Sequence, residues 1–324
     1  MNEEHTFSTC VVMSTYNGSK YIVEQMDSIR KQTVPVERCY IYDDLSTDGT
    51  YDIVLEYIKK YSLHNWIVSI NNSNLGWRMN FLQGFEKAKE DLIFPSDQDD
   101  IWPLDKVETA IRLFTQNKDM LLLRGKSVDI LNSEQIEKTH FFEQQNCEND
   151  EFSYQEFHKP SPGCALCFKN EFFRVVKKYY YEGESHDAFL IHMARVLGGA
   201  YRTNKNMVFH RVHQNNTFST ERKLNSYRTY YINKTERFLK MNHAMRSAIS
   251  DLNCYSEEKY NILSFLESWS HARIDFLRTK RFIYALKLIK YVKCYGKSGL
   301  MSSCKHYLTE IYHTFTDHVY EQEI

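Results

Sequence analysis

The chain has 324 residues, is 42% hydrophobic and 15% aromatic, and holds only 11 Gly and 5 Pro; this composition excludes a disordered or fibrous protein and suits one large domain or two. A formal net charge of −1 gives the whole chain no pull toward nucleic acid or another polyanion, and no nucleic-acid partner is expected. The polar, acidic N-terminus does not read as a signal peptide and no run approaches the roughly 20 apolar residues of a spanning helix, which predicts a cytoplasmic, reduced setting.

Residues 7–14 read as a first buried strand running into the polar turn Thr15-Tyr16-Asn17-Gly18. Ile22, Met26 and Ile29 then recur at helical spacing until Pro35. Residues 39–42 form a second strand that ends in Asp43-Asp44-Leu45-Ser46-Thr47-Asp48-Gly49-Thr50, where Asp48 or Thr50 can cap the helix of Ile53, Val54, Tyr57 and Ile58. Residues 66–70 are a third strand, 71–76 a loop, and Met79, Leu82, Phe85 and Ala88 mark a third helix. A fourth strand at 91–94 is expected to stop at Pro95 and to deliver Ser96-Asp97-Gln98-Asp99-Asp100-Ile101-Trp102, with Pro103 opening a helix over 104–117. Four strand–helix alternations in about 100 residues predict an α/β fold, a Rossmann-like, mostly parallel sheet flanked by helices.

Two strand ends carry acids, Asp43-Asp44 and Asp97–Asp100. Parallel strands set their C-terminal ends on one rim, where ligands bind in open α/β sheets. Clustered carboxylates repel unless a cation is present, and oxygen ligands favour Mg²⁺ or Mn²⁺ shared with substrate phosphates. The alternative reading is a solvated turn that caps the next helix. Neither Gly-x-Gly-x-x-Gly nor Gly-x-x-x-x-Gly-Lys occurs, which disfavours a dinucleotide-dependent dehydrogenase and a P-loop NTPase.

Further strands are read near 121–130 and after Ser161-Pro162-Gly163. Cys164 and Cys167, without a second pair at zinc spacing, are read as buried thiols. Glu184-Ser185-His186-Asp187 opens a helix closed by Gly198-Gly199, and Asp187 could be its cap. His210 and His213 follow an apolar strand, with Asn215, Asn216 and Thr217 behind them.

Taken together, Ser14-Thr15-Tyr16-Asn17-Gly18, Asp43-Asp44-x-Ser46-Thr47-Asp48-Gly49-Thr50, Asn74-Leu75-Gly76 with Asn80-Phe81, Asp97-x-Asp99-Asp100, Gly163-Cys164-Ala165, His186-Asp187 and Arg211-x-His213-x-Asn215-Asn216 resemble the family-2 inverting glycosyltransferases of the GT-A fold, in the rhamnosyltransferase-like branch. The resemblance covers about 1–218. It implies that Thr15, Tyr16, Asn17, Asp43 and Asp44 lie at the nucleotide, that Asp97-x-Asp99 is the DxD motif with Asp99 on the metal (Mn²⁺ or Mg²⁺), that His213 joins the metal or diphosphate site, and that Asp187 is the base that activates the acceptor. Arg78 is read either as positive charge for the diphosphate or as part of a solvated helix face. The implied reaction moves a sugar from a nucleotide-diphosphate-sugar, dTDP-rhamnose or a UDP-hexose, to a glycan or lipid-linked saccharide of a bacterial surface polysaccharide. A non-catalytic nucleotide- or glycan-binding protein is the alternative, and a nucleotidyltransferase a third reading. Leu45 stands where the family commonly has Gly, so a positive φ there would strain the turn.

Beyond residue 220 glycine nearly vanishes and helical periodicity dominates, which predicts a catalytic domain over 1–220 and a helical region over 221–324, with helices near 222–249, 256–279, 280–293 and 301–320. The basic, aromatic stretch 278–293 is expected either to rest on an anionic membrane surface as a peripheral contact or to be an ordinary packed helix with lysines in water. Tyr227, Tyr230 and Tyr231 are read as packing residues.

Overall fold

Chain order builds the first half of the sheet. In the computed structural model, which describes residues 7–138, 146–154, 163–213, 226–295 and 299–316, strands β1 (Thr9–Thr15), β2 (Arg38–Asp43), β3 (Trp66–Ile70) and β4 (Leu92–Asp97) alternate with helices α1 (Ile22–Arg30), α2 (Thr50–Lys60) and α3 (Trp77–Lys87). β1 pairs in parallel with β2 and β4, and β2 with β3, so all four C-terminal ends share one rim. The second half is mixed. After α4 (Lys106–Gln116) come β5 (Leu122–Ile130), β6 (Cys147–Asn149), β7 (Leu166–Lys169), α5 (Asn170–Val176), α6 (His186–Leu197) and β8 (Ala200–Arg211). The sheet order is β3-β2-β1-β4-β7-β5-β8-β6. β7 runs antiparallel between β4 and β5, β8 pairs in parallel with β5, and β6 closes the edge antiparallel to β8.

β1 shows why the sheet must be covered on both faces. Its side chains alternate: Val11 and Met13 pack with Ile22, Met26 and Ile29 of α1 and Val107 and Phe114 of α4. Cys10 and Val12 face the other way, toward Phe81 and Phe85 of α3 and Phe189 and Leu190 of α6. A buried ion cluster ties α6 to the sheet. Asp150 accepts from Arg124 Nε at 2.6 Å and Arg195 Nε at 3.0 Å.

Two local expectations are corrected. β4 does not stop at Pro95; it continues to Asp97, with Pro95 opposite Val12 of β1. Within β4, only Leu92 and Ile93 pair with β7, so Pro95 lies beyond that ladder and its missing N–H interrupts nothing there. The next helix starts at Lys106, not at 104, after a turn in which Lys106 N donates to Pro103 O at 3.2 Å.

The C-terminal helices are α7 (Tyr227–Asp251), α8 (Glu257–Thr279), α9 (Phe282–Leu288) and α10 (Gly299–Thr316), with a 3₁₀ segment Ile289–Tyr295 after α9. The stretch expected as one helix over 280–293 is therefore broken in two, and Lys280 at φ +54° makes the corner after α8. The apolar core runs without a break from Phe85 and Leu190 into Met245, Leu263 and Trp269, so the helices share a core with the sheet. The expected domain boundary at residue 220 lies outside the described residues, as do Ser161, Pro162, Asn215, Asn216 and Thr217. Inside the helical layer, buried Arg273 binds both carboxylate oxygens of buried Glu310, and Tyr295 Oη and Thr235 Oγ1 complete the network at 2.9 and 3.2 Å. Tyr227 is buried and stacks on His313, as a packing residue should.

Candidate active site

The ends of β1 and β2 are built from their own polar side chains. Thr15 Oγ1 donates to Asp43 Oδ2 at 2.8 Å, and Ser46 gives Asp43 its N–H at 2.8 Å and its hydroxyl at 2.7 Å. Asp43 is thereby fully buried beside the turn. Asn17, at φ +50°, takes the N–H of Thr47 on Oδ1 at 2.9 Å, and its own N–H goes to Ser46 Oγ at 2.9 Å. Asn tolerates this left-handed backbone better than most residues. Leu45 does adopt the positive φ that its place in the turn suggested, +68°. Asp48 takes the first N–H of α2, from Thr50 at 3.1 Å, with Gly49 at φ +86°.

Asp44 has a different task from its neighbour. Its Oδ1 accepts from Asn71 Nδ2 and Leu75 N, and its Oδ2 from Gly76 N, each at 2.8 Å. The carboxylate organises the loop 71–76 and is itself buried. That loop leads into α3, whose second residue is Arg78. Arg78 lies over the Trp77 ring at 4.4 Å, and its charge is felt by His186 and Tyr180. It therefore lies near the start of α6.

At the end of β4, Gln98 clamps the neighbouring strand. It accepts from Tyr16 N at 2.8 Å and donates to Tyr16 O at 2.9 Å. A side chain at Gly18 would meet the end of the Gln98 side chain at 2.1 Å, so a larger residue there would have to displace this clamp. The Tyr16 ring is left half exposed over the rim. Asp99 Oδ2 and His213 Nε2 lie 2.8 Å apart, which brings together two residues 114 positions apart in sequence. Arg211 holds this pair in place, donating to Asp99 O at 3.1 Å and Glu24 Oε2 at 3.0 Å, and Tyr21 stacks on His213. The two-way bond between Ile101 and Phe209, 3.0 and 2.8 Å, pins the acidic loop to the end of β8.

Asp97 and Asp100 are crowded. Burial, then the charges of Asp100 and Asp99, pushes the Asp97 carboxyl well above the usual range. Asp100 is fully buried and raised to about 7, by burial first and then by Asp99. Neither Asp100 oxygen makes a hydrogen bond of ordinary geometry among the described residues. Ligand atoms of Asp97, Asp100 and Cys164 all lie within 4.8 Å of one another. Lys106, buried against the Trp102 ring at 3.6 Å, donates to Cys164 O at 2.7 Å and is lowered to about 8 by burial. The carboxylates outnumber this one ammonium, and Asp97 and Asp100 offer oxygens beside the Cys164 thiol, with the Asp99–His213 pair on the same loop. Such a set fits a hard divalent cation.

Asp187 is not the cap of α6. Ser185 occupies that position, and Asp187 is the second helical residue, with Oδ1 accepting from Ala188 N at 2.8 Å. The turn 163–165 connects it to the acids. A side chain at Gly163 would sit 2.9 Å from His186 Nε2 and 3.2 Å from Asp187 Cβ, while the next residue, Cys164, lies against Asp97 and Asp100. The charge of Asp187 is also felt at Asp97. Both groups thus lie about the 163–165 turn. His186 packs on Phe81 at 4.3 Å and Phe85 at 5.5 Å, and burial holds its pKa down at about 4.

The residues expected at the site from sequence are therefore assembled along the rim, from Thr15, Tyr16, Asn17 and Asp43 through Asp97, Asp99 and His213 to Arg78 and Asp187. Asp44 alone is turned into loop scaffolding. Gln98, Glu24, Tyr21 and His186 belong to the stretches that carry the family resemblance but have no site role assigned from sequence. Lys106, a single lysine on a helix, carries no signal of its own.

The profile of the family described as "Glycosyl transferase family 2" matches residues 10–179. The dTDP-rhamnosyl transferase RfbG of Shigella flexneri is 31% identical over 216 residues, 63% of this chain and 72% of that protein. Among solved structures, S. aureus TarS 1-349 in complex with UDP-GlcNAc is similar with a TM-score of 0.59 at 17% identity, over 94% of this chain and 89% of that one. The mannosyltransferase PcManGT from Pyrobaculum calidifontis, in complex with GDP-Man and Mn²⁺, is similar with a TM-score of 0.53 at 12% identity, over 98% and 89%. At these identities the two structures speak for the fold, which is GT-A.

Proposed function

The chain belongs to glycosyl transferase family 2, and from that premise we propose that it transfers a sugar, with inversion, from a nucleoside-diphosphate-sugar to a hydroxyl of a bacterial cell-surface polysaccharide precursor. The observation that carries this reading is a proximity: the turn 163–165 sets Gly163 against Asp187 at the start of α6 and Cys164 against Asp97 and Asp100. dTDP-rhamnose is the first donor, by likeness to the Shigella flexneri relative; a UDP-sugar is second, by likeness to TarS. The acceptor is read as lipid-linked, with the enzyme cytoplasmic and peripheral on the inner membrane face.

Thr15, Tyr16, Asn17 and Asp43 hold the nucleotide, with Asp44 positioning the 71–76 loop beside it. Asp97, Asp99 and His213 are the residues that would hold Mn²⁺ or Mg²⁺. A divalent ion there supplies charge neutralisation for the departing diphosphate, and Arg78 adds a fixed positive charge. Asp187 receives the acceptor hydroxyl proton as general base. The Ala188 N–H bond fixes the orientation of its carboxylate.

Asp187→Asn tests the reading. Transfer should fall roughly 10²- to 10⁴-fold, while donor binding, measured by calorimetry, stays unchanged. Undiminished function in Asp187→Asn would favour a non-catalytic binding protein.

A further inference from the structure

Helix α10 is inside out. Its inward face is Ser303, Tyr307, Glu310 and Thr314, all buried and mostly polar, spaced so as to share one side of a helix. Its outward face is apolar: Met301 is 88% exposed, Leu308 62% and Tyr312 61%, with Phe315 also in solvent. At 3.6 residues per turn, Met301, Lys305, Leu308, Tyr312 and Phe315 fall within an arc of roughly 80°, opposite the buried polar row. An ordinary surface helix has the reverse pattern. α9 buries an apolar side, Ala285 and Leu288, and still leaves Phe282, Ile283 and Leu286 exposed, followed by exposed Ile289 at the start of the 3₁₀ segment. Tyr307 Oη donates to Ala285 O at 2.7 Å and joins the inward sides of the two helices.

The charges around these faces choose the occupant. From Arg278 to Thr316 the chain has eight Lys and Arg and one acid, in a protein of net charge −1. That one acid, Glu310, is buried on Arg273. Lys287, Lys290 and Lys293 are exposed between the apolar positions. Arg278 is partly spent on Glu236 at 2.6 Å. Cations that flank exposed apolar side chains match the negative surface and acyl boundary of a lipid bilayer. No described helix is long and apolar enough to cross one.

We infer that the outward faces of α9 and α10 form a docking surface for an anionic lipid bilayer, with the apolar side chains entering the headgroup region and the lysines on lipid phosphates. The inference rests on the peripheral placement proposed above and extends it from a basic stretch to a defined two-helix face.

The test is cosedimentation of the full chain with phosphatidylglycerol-containing and phosphatidylcholine-only vesicles, at low and high salt, for the wild type, a Lys287→Gln/Lys290→Gln/Lys293→Gln variant and a Leu308→Ser/Tyr312→Ser variant. The changed residues are exposed, and circular dichroism checks that each variant is folded. Expected are binding to anionic vesicles only, a loss on the order of 100-fold on neutralising three cations, weakening by high salt, and a further loss in the serine variant. No binding to anionic vesicles at low salt overturns the inference. So does light scattering in which the wild type is an oligomer that Leu308→Ser/Tyr312→Ser makes monomeric, since the occupant is then a second copy; capture of an acidic protein with no vesicle binding overturns it likewise. Transfer to a soluble acceptor is measured in parallel. Vesicle binding without transfer counts against the catalytic reading alone, and transfer without vesicle binding against the docking surface alone.

Discussion

His186 makes the start of α6 sensitive to acid. The imidazole is 3% exposed, neither nitrogen has a hydrogen-bond partner among the described residues, and its surroundings are Trp77, Phe81 and Phe85. Burial lowers its pKa from 6.5 to about 4, partly offset by Asp187. A base lowered on folding binds fewer protons in the folded than in the unfolded chain. Its favourable state is therefore intact above the unfolded value of 6.5 and is lost as pH falls toward 4. At 1.36 kcal/mol per unit, the loss is about 2 kcal/mol at pH 5 and approaches about 3 kcal/mol near pH 4. A helix N-terminus disfavours the added positive charge as well. The perturbation is His186→Leu, an apolar side chain in an apolar site. Urea midpoints of both proteins between pH 7 and pH 4.5 give the assay. Carboxylates, the raised Asp100 included, titrate in both, so the difference isolates His186. The variant's stability relative to wild type should rise by about 2 kcal/mol on going from pH 7 to pH 5. Parallel pH profiles would refute the buried neutral imidazole.

Two further outcomes concern stability. Glu310→Ala leaves Arg273 buried without its carboxylate and should cost about 3–5 kcal/mol, whereas Arg273→Met/Glu310→Leu together should restore most of it; denaturant unfolding of the single and double variants checks this, and equal losses in both would contradict it. Leu45→Gly removes a side chain from a φ of +68°. Relief of roughly 1–2 kcal/mol of left-handed strain exceeds the roughly 0.5–1 kcal/mol entropy cost of glycine, so the melting temperature should rise, and a fall would show that Leu45 is not strained.

Much of this was legible in the chain. The alternation of apolar runs with helical spacing from residue 7 to residue 94 specifies β1 to β4, short of the last residues of β4, and with them the rim at which the acids of 43–44 and 97–100 lie. The positive φ of Leu45 followed from a turn that commonly carries glycine. What stayed hidden depends on long-range packing. β7 is only four residues long and slips antiparallel between β4 and β5, which no local pattern announces. It also explains how β4 continues through Pro95. The same excursion carries Cys164 up to Asp97 and Asp100, so a thiol read as plain core borders the acids. The carboxylates of Asp43 and Asp44 are adjacent in sequence and alike in chemistry, yet one is bonded within the β2 turn and the other to the backbone of residues 75 and 76. Only the fold separates them. The helix of α10 was legible in its periodicity, but the side that turns inward, where Glu310 meets Arg273 of α8, was not.

The central claim is that the acidic loop at the end of β4 holds a donor through a divalent ion. Calorimetry of dTDP-rhamnose and UDP-sugar binding, with and without Mn²⁺, on wild type and Asp99→Asn, tests it most directly. The account predicts that one nucleotide class binds, that binding requires the metal, and that Asp99→Asn abolishes the metal-dependent part. Binding indifferent to both metal and substitution would reduce Asp97–Asp100 to a structural turn and contradict the account.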